Sequence, residues 1–175
     1  MELAETMGRD ALGLGMQIGQ KYRVECFDPE GRLKWVEEFG NLVVGEGLAK
    51  YLDATLKTGL AAPAWYVGLK GTGTVANGDT LASHAGWAEI NPYSGNRPAW
   101  TPGSITGTTT KSVDNAASKA VFSITSALTV YGAFMASVNT GTGGTLLGAG
   151  DFSVARAVEI GDTLNVTVTG TMTTA

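Results

Sequence analysis

Glycine interrupts this chain about every seventh residue, 25 of 175, roughly twice the usual share of about 7%. A glycine inside a helix costs about 1 kcal/mol relative to alanine, so helices are confined to the stretches that tolerate it. One window is convincing. Leu48, Tyr51, Leu52 and Leu56 fall at i, i+3, i+4 and i+8, which predicts an amphipathic helix over Glu46–Lys57 with its apolar stripe in the core. Gly59 is placed to cap its C-terminal end. Elsewhere, abundant threonine and serine with only 5 prolines point to short strands and frequent turns.

The strand pattern supports this. KYRVECF and LKWVEEF flank Asp28-Pro29-Glu30-Gly31-Arg32, a hairpin with proline pre-setting the turn. Tyr22, Val24 and Cys26 share one face by period two, as do Leu33 and Trp35. Trp65–Leu69 reads as a short buried strand. Ala120, Phe122 and Ile124 alternate, as do Val130, Gly132, Phe134, Ala136 and Val138. Leu164, Val166 and Val168 alternate against Asn165, Thr167 and Thr169, the cleanest half-buried strand of the chain. In Val154–Ile160, Arg156 falls on the apolar face, to be explained by a strand edge or a carboxylate partner. Glycine-rich connections separate these runs. The expected fold is mainly β: an antiparallel two-sheet sandwich or jelly-roll-like domain with one short amphipathic helix. Residues 21–175 form that single domain, and residues 1–20 an extended N-terminal arm.

Charge and cysteine content narrow the function. With 16 acidic and 12 basic residues the formal charge is −4, the wrong sign for a nucleic-acid binder. Only 16% of residues are charged, against about 25% in ordinary domains, so part of the surface is expected to face a partner. The first twenty residues, with Glu2 and Glu5, lack the continuous apolar core of a secretory signal. No apolar run approaches the roughly 18 residues that cross a bilayer. The expectation is a protein made without export, acting neither on membranes nor on nucleic acid.

Chemistry finds few footholds. The single cysteine, Cys26, rules out an internal disulfide framework and reads as a small apolar packing group. The single histidine, His84, rules out a two-imidazole metal site. No nucleophile-elbow pattern surrounds Ser83 and His84. Glu37-Glu38 reads as a solvated strand end. Gly71-Thr72-Gly73 lacks the helix and basic residue of a phosphate cradle, and Gly150-Asp151 lacks the spaced carboxylates of a calcium loop. The expectation is no enzyme activity, no cofactor and no metal.

Two segments stand out. Residues 1–20 place Gly8, Gly13, Gly15 and Gly19 among Leu12, Leu14 and Met16. They read as a frayed terminus or as an arm that orders on a neighbouring subunit. Trp87–Trp100 carries two tryptophans, Tyr93, two prolines, Glu89 and Arg97. Three readings stay open: a loop folded on its own sandwich through a Glu89–Arg97 pair, a contact with another subunit, or a platform of rings for sugars.

Several stretches are similar to those of small virion structural proteins of tailed bacteriophages. They are Phe39-Gly-Asn-Leu-Val-Val-Gly-Glu-Gly-Leu48, Trp65-Tyr-Val-Gly-Leu69, Gly78-Asp-Thr-Leu-Ala-Ser-His-Ala-Gly-Trp-Ala-Glu89 and Tyr93-Ser-Gly-Asn-Arg97. Phe122-Ser-Ile124, Tyr131-Gly-Ala-Phe134 and Val158-Glu-Ile-Gly-Asp-Thr-Leu164 extend the resemblance over roughly residues 39–169. Members of that group are capsid decoration or cement proteins, head fibres and tail-fibre-like proteins. The resemblance implies a virion component without choosing among these roles; with the low charge and glycine- and threonine-rich composition, the expected place is the capsid surface rather than the tail, in a protein made in the host cytoplasm. It implies no catalytic residues. A cement protein would bind the major capsid protein across capsomer joints and self-associate, naturally as a trimer at local threefold axes, with many modest contacts adding through avidity. The residues expected to make those contacts are Leu12, Leu14, Met16, Trp87, Tyr93, Arg97 and Trp100. The alternative is a tail or fibre module that binds a host-surface glycan through the aromatic loop.

Overall fold

The computed structural model describes residues 16–59 and 61–174. The contact roles expected of Leu12 and Leu14 lie outside the described residues. Among those residues the chain is mainly β, two antiparallel sheets and one helix.

The first sheet is built on its two longest members, β1 (Met16–Phe27) and β11 (Thr163–Thr174), which pair along their whole length from Met16↔Thr174 to Phe27↔Thr163. On the far side of β1 lies β2 (Leu33–Gly40). The turn between β1 and β2 closes through Gly31, at φ 79°, and through backbone N–H groups of Glu30 and Arg32 that donate to the Asp28 carboxylate. The free side of β11 is shared by β7 (Lys111–Asp114) near its end and β8 (Ala120–Ser123) near its start.

The second sheet has the order β3 (Leu42–Val43), β10 (Leu146–Val158), β9 (Leu128–Ala136), β4 (Trp65–Gly73) and β5 (Trp87–Ile90). The two-residue β6 (Ala99–Trp100) pairs with the start of β4. Between the sheets lies the main core. Tyr22, Val24, Cys26, Phe122, Leu164 and Val166 from one side meet Val67, Leu69, Val130 and Met135 from the other.

Several expectations need correction. The sheet begins at Met16, so Met16–Gln20 belong to the sandwich and not to an arm ending at residue 20. The glycine at 19 is tolerated because β11 supplies a full-length partner. Gln20 is buried, its amide donating to Met135 Sδ at 3.4 Å and accepting from Asn41.

On β9, Ala133 and Met135 are buried as fully as Phe134 and Ala136. A second, smaller core explains this. Val44, Leu81, Trp87, Phe134, Ala136, Leu146 and Ala149 cluster on the other face of the sheet. Residues 74–86 contribute Leu81 to it, so this part of the fold has three layers. Gly68 on β4 sits where a Cβ would overlap the Phe134 ring, so only glycine lets that ring lie flat on the sheet.

Glu37 is no solvated strand end. It is 4% exposed, and its carboxylate accepts from the Ser153 backbone N–H and hydroxyl and from Arg156 Nε at 2.7 Å. This pair accounts for Arg156 on an otherwise apolar face and ties β2 to β10 across the sheets. Burial alone would raise the Glu37 carboxyl; the hydrogen bonds from Ser153 and Arg156 outweigh it and hold the group below its ordinary range. A lowered carboxyl contributes stability that is present above the ordinary glutamate value, roughly 4.3, and lost as pH falls through its folded value. Urea titrations from pH 7 to pH 3 should therefore show falling stability in acid, with a shallower fall in Glu37→Gln. An unchanged slope in that variant would refute the assignment.

Candidate functional site

The expected contact loop turns its aromatic and charged groups inward. Arg97 is 5% exposed. Its Nε and Nη2 donate to the two Glu89 oxygens at 2.8 and 2.6 Å, a two-pronged pair whose planar fork matches the carboxylate. Nη1 donates to Val138 O at 2.9 Å, and Nη2 also donates to Gly141 O at 3.0 Å. The guanidinium lies 5.3 Å from the centre of the Phe134 ring. Of the three readings of this segment, the geometry matches the loop folded on its own sandwich.

Trp87 is 5% exposed and donates from Nε1 to Asp79 at 2.9 Å. His84 stacks on it at 4.1 Å, with Nδ1 3.0 Å from the Trp87 carbonyl oxygen. Tyr93 is 7% exposed and meets Phe122 edge-on at 4.7 Å. Burial, then the nearby Glu89 charge, pushes its hydroxyl up to about 12. Trp87 and Arg97 thus place their polar groups within the chain, and the Tyr93 ring packs on Phe122.

Trp100 and Met16 differ. Trp100 is half-buried, anchored by Nε1 to Val168 O at 3.0 Å and paired across the strands with Trp65. Both indoles border an open basin of about 570 Å³ with Pro63 and Pro102 on its rim. Met16 is exposed at the start of β1.

A buried lysine escaped the reading of the sequence. Lys70 is fully enclosed, with its ammonium donating to Gly71 O, Gly73 O and Asp151 Oδ1 at 3.2, 2.5 and 2.6 Å. Three donors meet three acceptors, so the charge is satisfied in place. The signal was present as the lone charge in Trp-Tyr-Val-Gly-Leu-Lys-Gly. Cys26 is also enclosed. Burial first, and then the Asp162 carboxylate, push its thiol up to about 12, so the thiolate is scarce at neutral pH.

An exposed apolar face lies on α1 (Gly45–Leu56). Its apolar stripe was expected in the core, and three of its four members face outward instead. Leu48, Leu52 and Leu56 are 40%, 54% and 77% exposed, and only Tyr51 packs toward the core. The first turn explains the rotation. The Glu46 carboxylate accepts the backbone N–H groups of Leu81 and Leu146 at 3.0 and 2.6 Å. Gly47 lies against the Leu147 backbone where any Cβ would collide. Pinned by those two residues, the helix turns Gly47 and Tyr51 inward and its leucines outward. Asp53 and Lys57 pair with each other at 2.6 Å.

Among the described residues no cluster of three or more His, Cys, Asp or Glu is arranged to hold a metal ion. No helix there is long and apolar enough to cross a membrane. Comparison with protein-family models, curated proteins and solved structures finds no match to this chain.

Proposed function

We propose that this chain is a structural protein of a tailed-phage virion, a decoration protein that binds the outside of the capsid and reinforces joints between capsomers. The observation that carries this reading is the leucine face of α1. A surface helix ordinarily turns its polar side to water; this one turns Leu48, Leu52 and Leu56 outward. Fully burying a leucine yields about 1.5–3 kcal/mol, so these partly exposed side chains offer a modest contact. Many copies on a symmetric shell would make modest contacts strong together. The resemblance along residues 39–169 agrees with this use, and the major capsid protein is the partner it implies.

Quantitative mass spectrometry of purified virions tests the reading. A decoration protein should be present near one copy, or one trimer, per local threefold of major capsid protein. Its absence from purified virions would overturn the reading. Leu52→Glu with Leu56→Glu should leave the domain folded and reduce capsid occupancy at least about tenfold, since two charges cannot be buried unpaired in an apolar contact. Full occupancy would move the contact off α1.

A second reading, a tail or fibre module for a host-surface glycan, is favoured by the Trp65–Trp100 basin. It predicts a few copies per particle and glycan-array binding that is lost in Trp100→Ala.

A further inference from the structure

The turn Ala76–Asp79 belongs to the segment that supplies Leu81 to the smaller core, and it carries the chain's only Asn-Gly pair, Asn77-Gly78. Asp79 N–H donates to Ala76 O at 3.0 Å, and the Asp79 carboxylate accepts from Ala76 N–H at 2.9 Å. Asn77 O accepts from Gly45 N–H at 2.9 Å, where α1 begins. The turn is thereby held from both ends, while Asn77 and Gly78 at its tip are exposed. Among the described residues no hydrogen bond engages the Asn77 side-chain amide or the Gly78 N–H. We propose that Asn77 is a site of spontaneous covalent modification, losing its amide to water by way of a cyclic imide with Gly78.

The chemistry balances without a redox partner. The Gly78 backbone nitrogen forms a bond to Asn77 Cγ, the Cγ–Nδ2 bond breaks, and ammonia leaves with the Gly78 proton. Water then opens the imide at either of its carbonyl carbons, giving aspartate or isoaspartate. Both products add a negative charge. Isoaspartate also adds a carbon to the main chain inside the turn, and it turns the carbonyl that binds Gly45 N–H into a free carboxylate. Gly78 has no side chain to shield its nitrogen, and the space around it is open. The other asparagines lack this freedom. Asn91 precedes Pro92, which has no N–H. Asn96 precedes Arg97, whose N–H is bonded to Asn139 O at 3.0 Å. Asn139 and Asn165 precede Thr140 and Val166, whose branched side chains crowd the nitrogen. The Asn115 amide is tied to Val166 O and Val168 N–H, and the Asn41 amide to Gln20.

Incubation of the full-length chain at mildly alkaline pH, read by peptide mass against the unincubated chain, tests this. The Asn77 peptide should gain the mass of an amide-to-acid exchange at least about tenfold faster than any other asparagine peptide. In water enriched in heavy oxygen the label should enter at residue 77, and fragmentation should find isoaspartate beside aspartate. Gly78→Ala should slow the reaction about tenfold or more, because the added methyl crowds the attacking nitrogen. That variant should fold, since φ at Gly78 lies outside the left-handed region and a Cβ there meets nothing within 4 Å. A wild-type Asn77 no faster than the other asparagines would overturn the proposal. Aspartate as the sole product, or an undiminished rate in Gly78→Ala, would refute the imide route.

Discussion

Arg97→Ala should lower the unfolding free energy by about 3 kcal/mol, the low end of the range for breaking a buried ion pair. The cost arises from what remains behind. Glu89, 21% exposed at its side chain, loses both donors of its guanidinium partner, while the Val138 and Gly141 carbonyls lose theirs. In a chain of this length the midpoint of thermal unfolding should fall by roughly 6–12 °C. Replacing both partners, Arg97→Met with Glu89→Met, should recover part of the loss, because no unpaired charge is then left in the site. Equilibrium urea unfolding of the single and double variants measures this. A single variant within about 0.5 kcal/mol of wild type would show that the pair is not anchored as described.

Phe134→Ala should be at least as costly, about 3–5 kcal/mol, the usual range for removing a buried aromatic ring. Phe134 is fully buried, lies on Gly68, and contacts the Trp87 ring at 5.3 Å between centres. Its loss removes the floor of the smaller core while leaving the main core between the sheets intact. The variant should accordingly show a red-shifted tryptophan emission from Trp87 with little change in far-ultraviolet circular dichroism. A loss of strand signal in step with the tryptophan shift would mean that the two cores unfold as one.

How much of this was legible beforehand depended on whether a local pattern decided the outcome. The strand Leu164–Val168 was plain because strict alternation meets one buried face and one open face. The hairpin at Asp28–Arg32 was plain because proline and glycine constrain a turn wherever it occurs. The Glu89–Arg97 pair was legible as one of three readings, since two opposite charges eight residues apart can meet only if the loop doubles back. The orientation of α1 was not legible. Its leucines form a sound amphipathic stripe, and which side faces in was decided by Glu46 reaching Leu146 one hundred positions away. The burial of Glu37 was hidden for the same reason: its partners, Ser153 and Arg156, lie on another sheet. Lys70 was concealed because its acceptors are largely backbone carbonyls, which leave no trace in side-chain pattern.

The pairing of β1 with β11 has a consequence for synthesis. The first described strand finds its long neighbour only in the last, so residues up to Thr174 must emerge from the ribosome before the first sheet can close. Until then β1 lacks its neighbour on one side, and β7 and β8 have no strand to join. Such distant pairings fold slowly and leave apolar edges open to aggregation in the interval. A nascent chain halted before Thr163 would therefore be a client for chaperones, because its first sheet would lack its central strand.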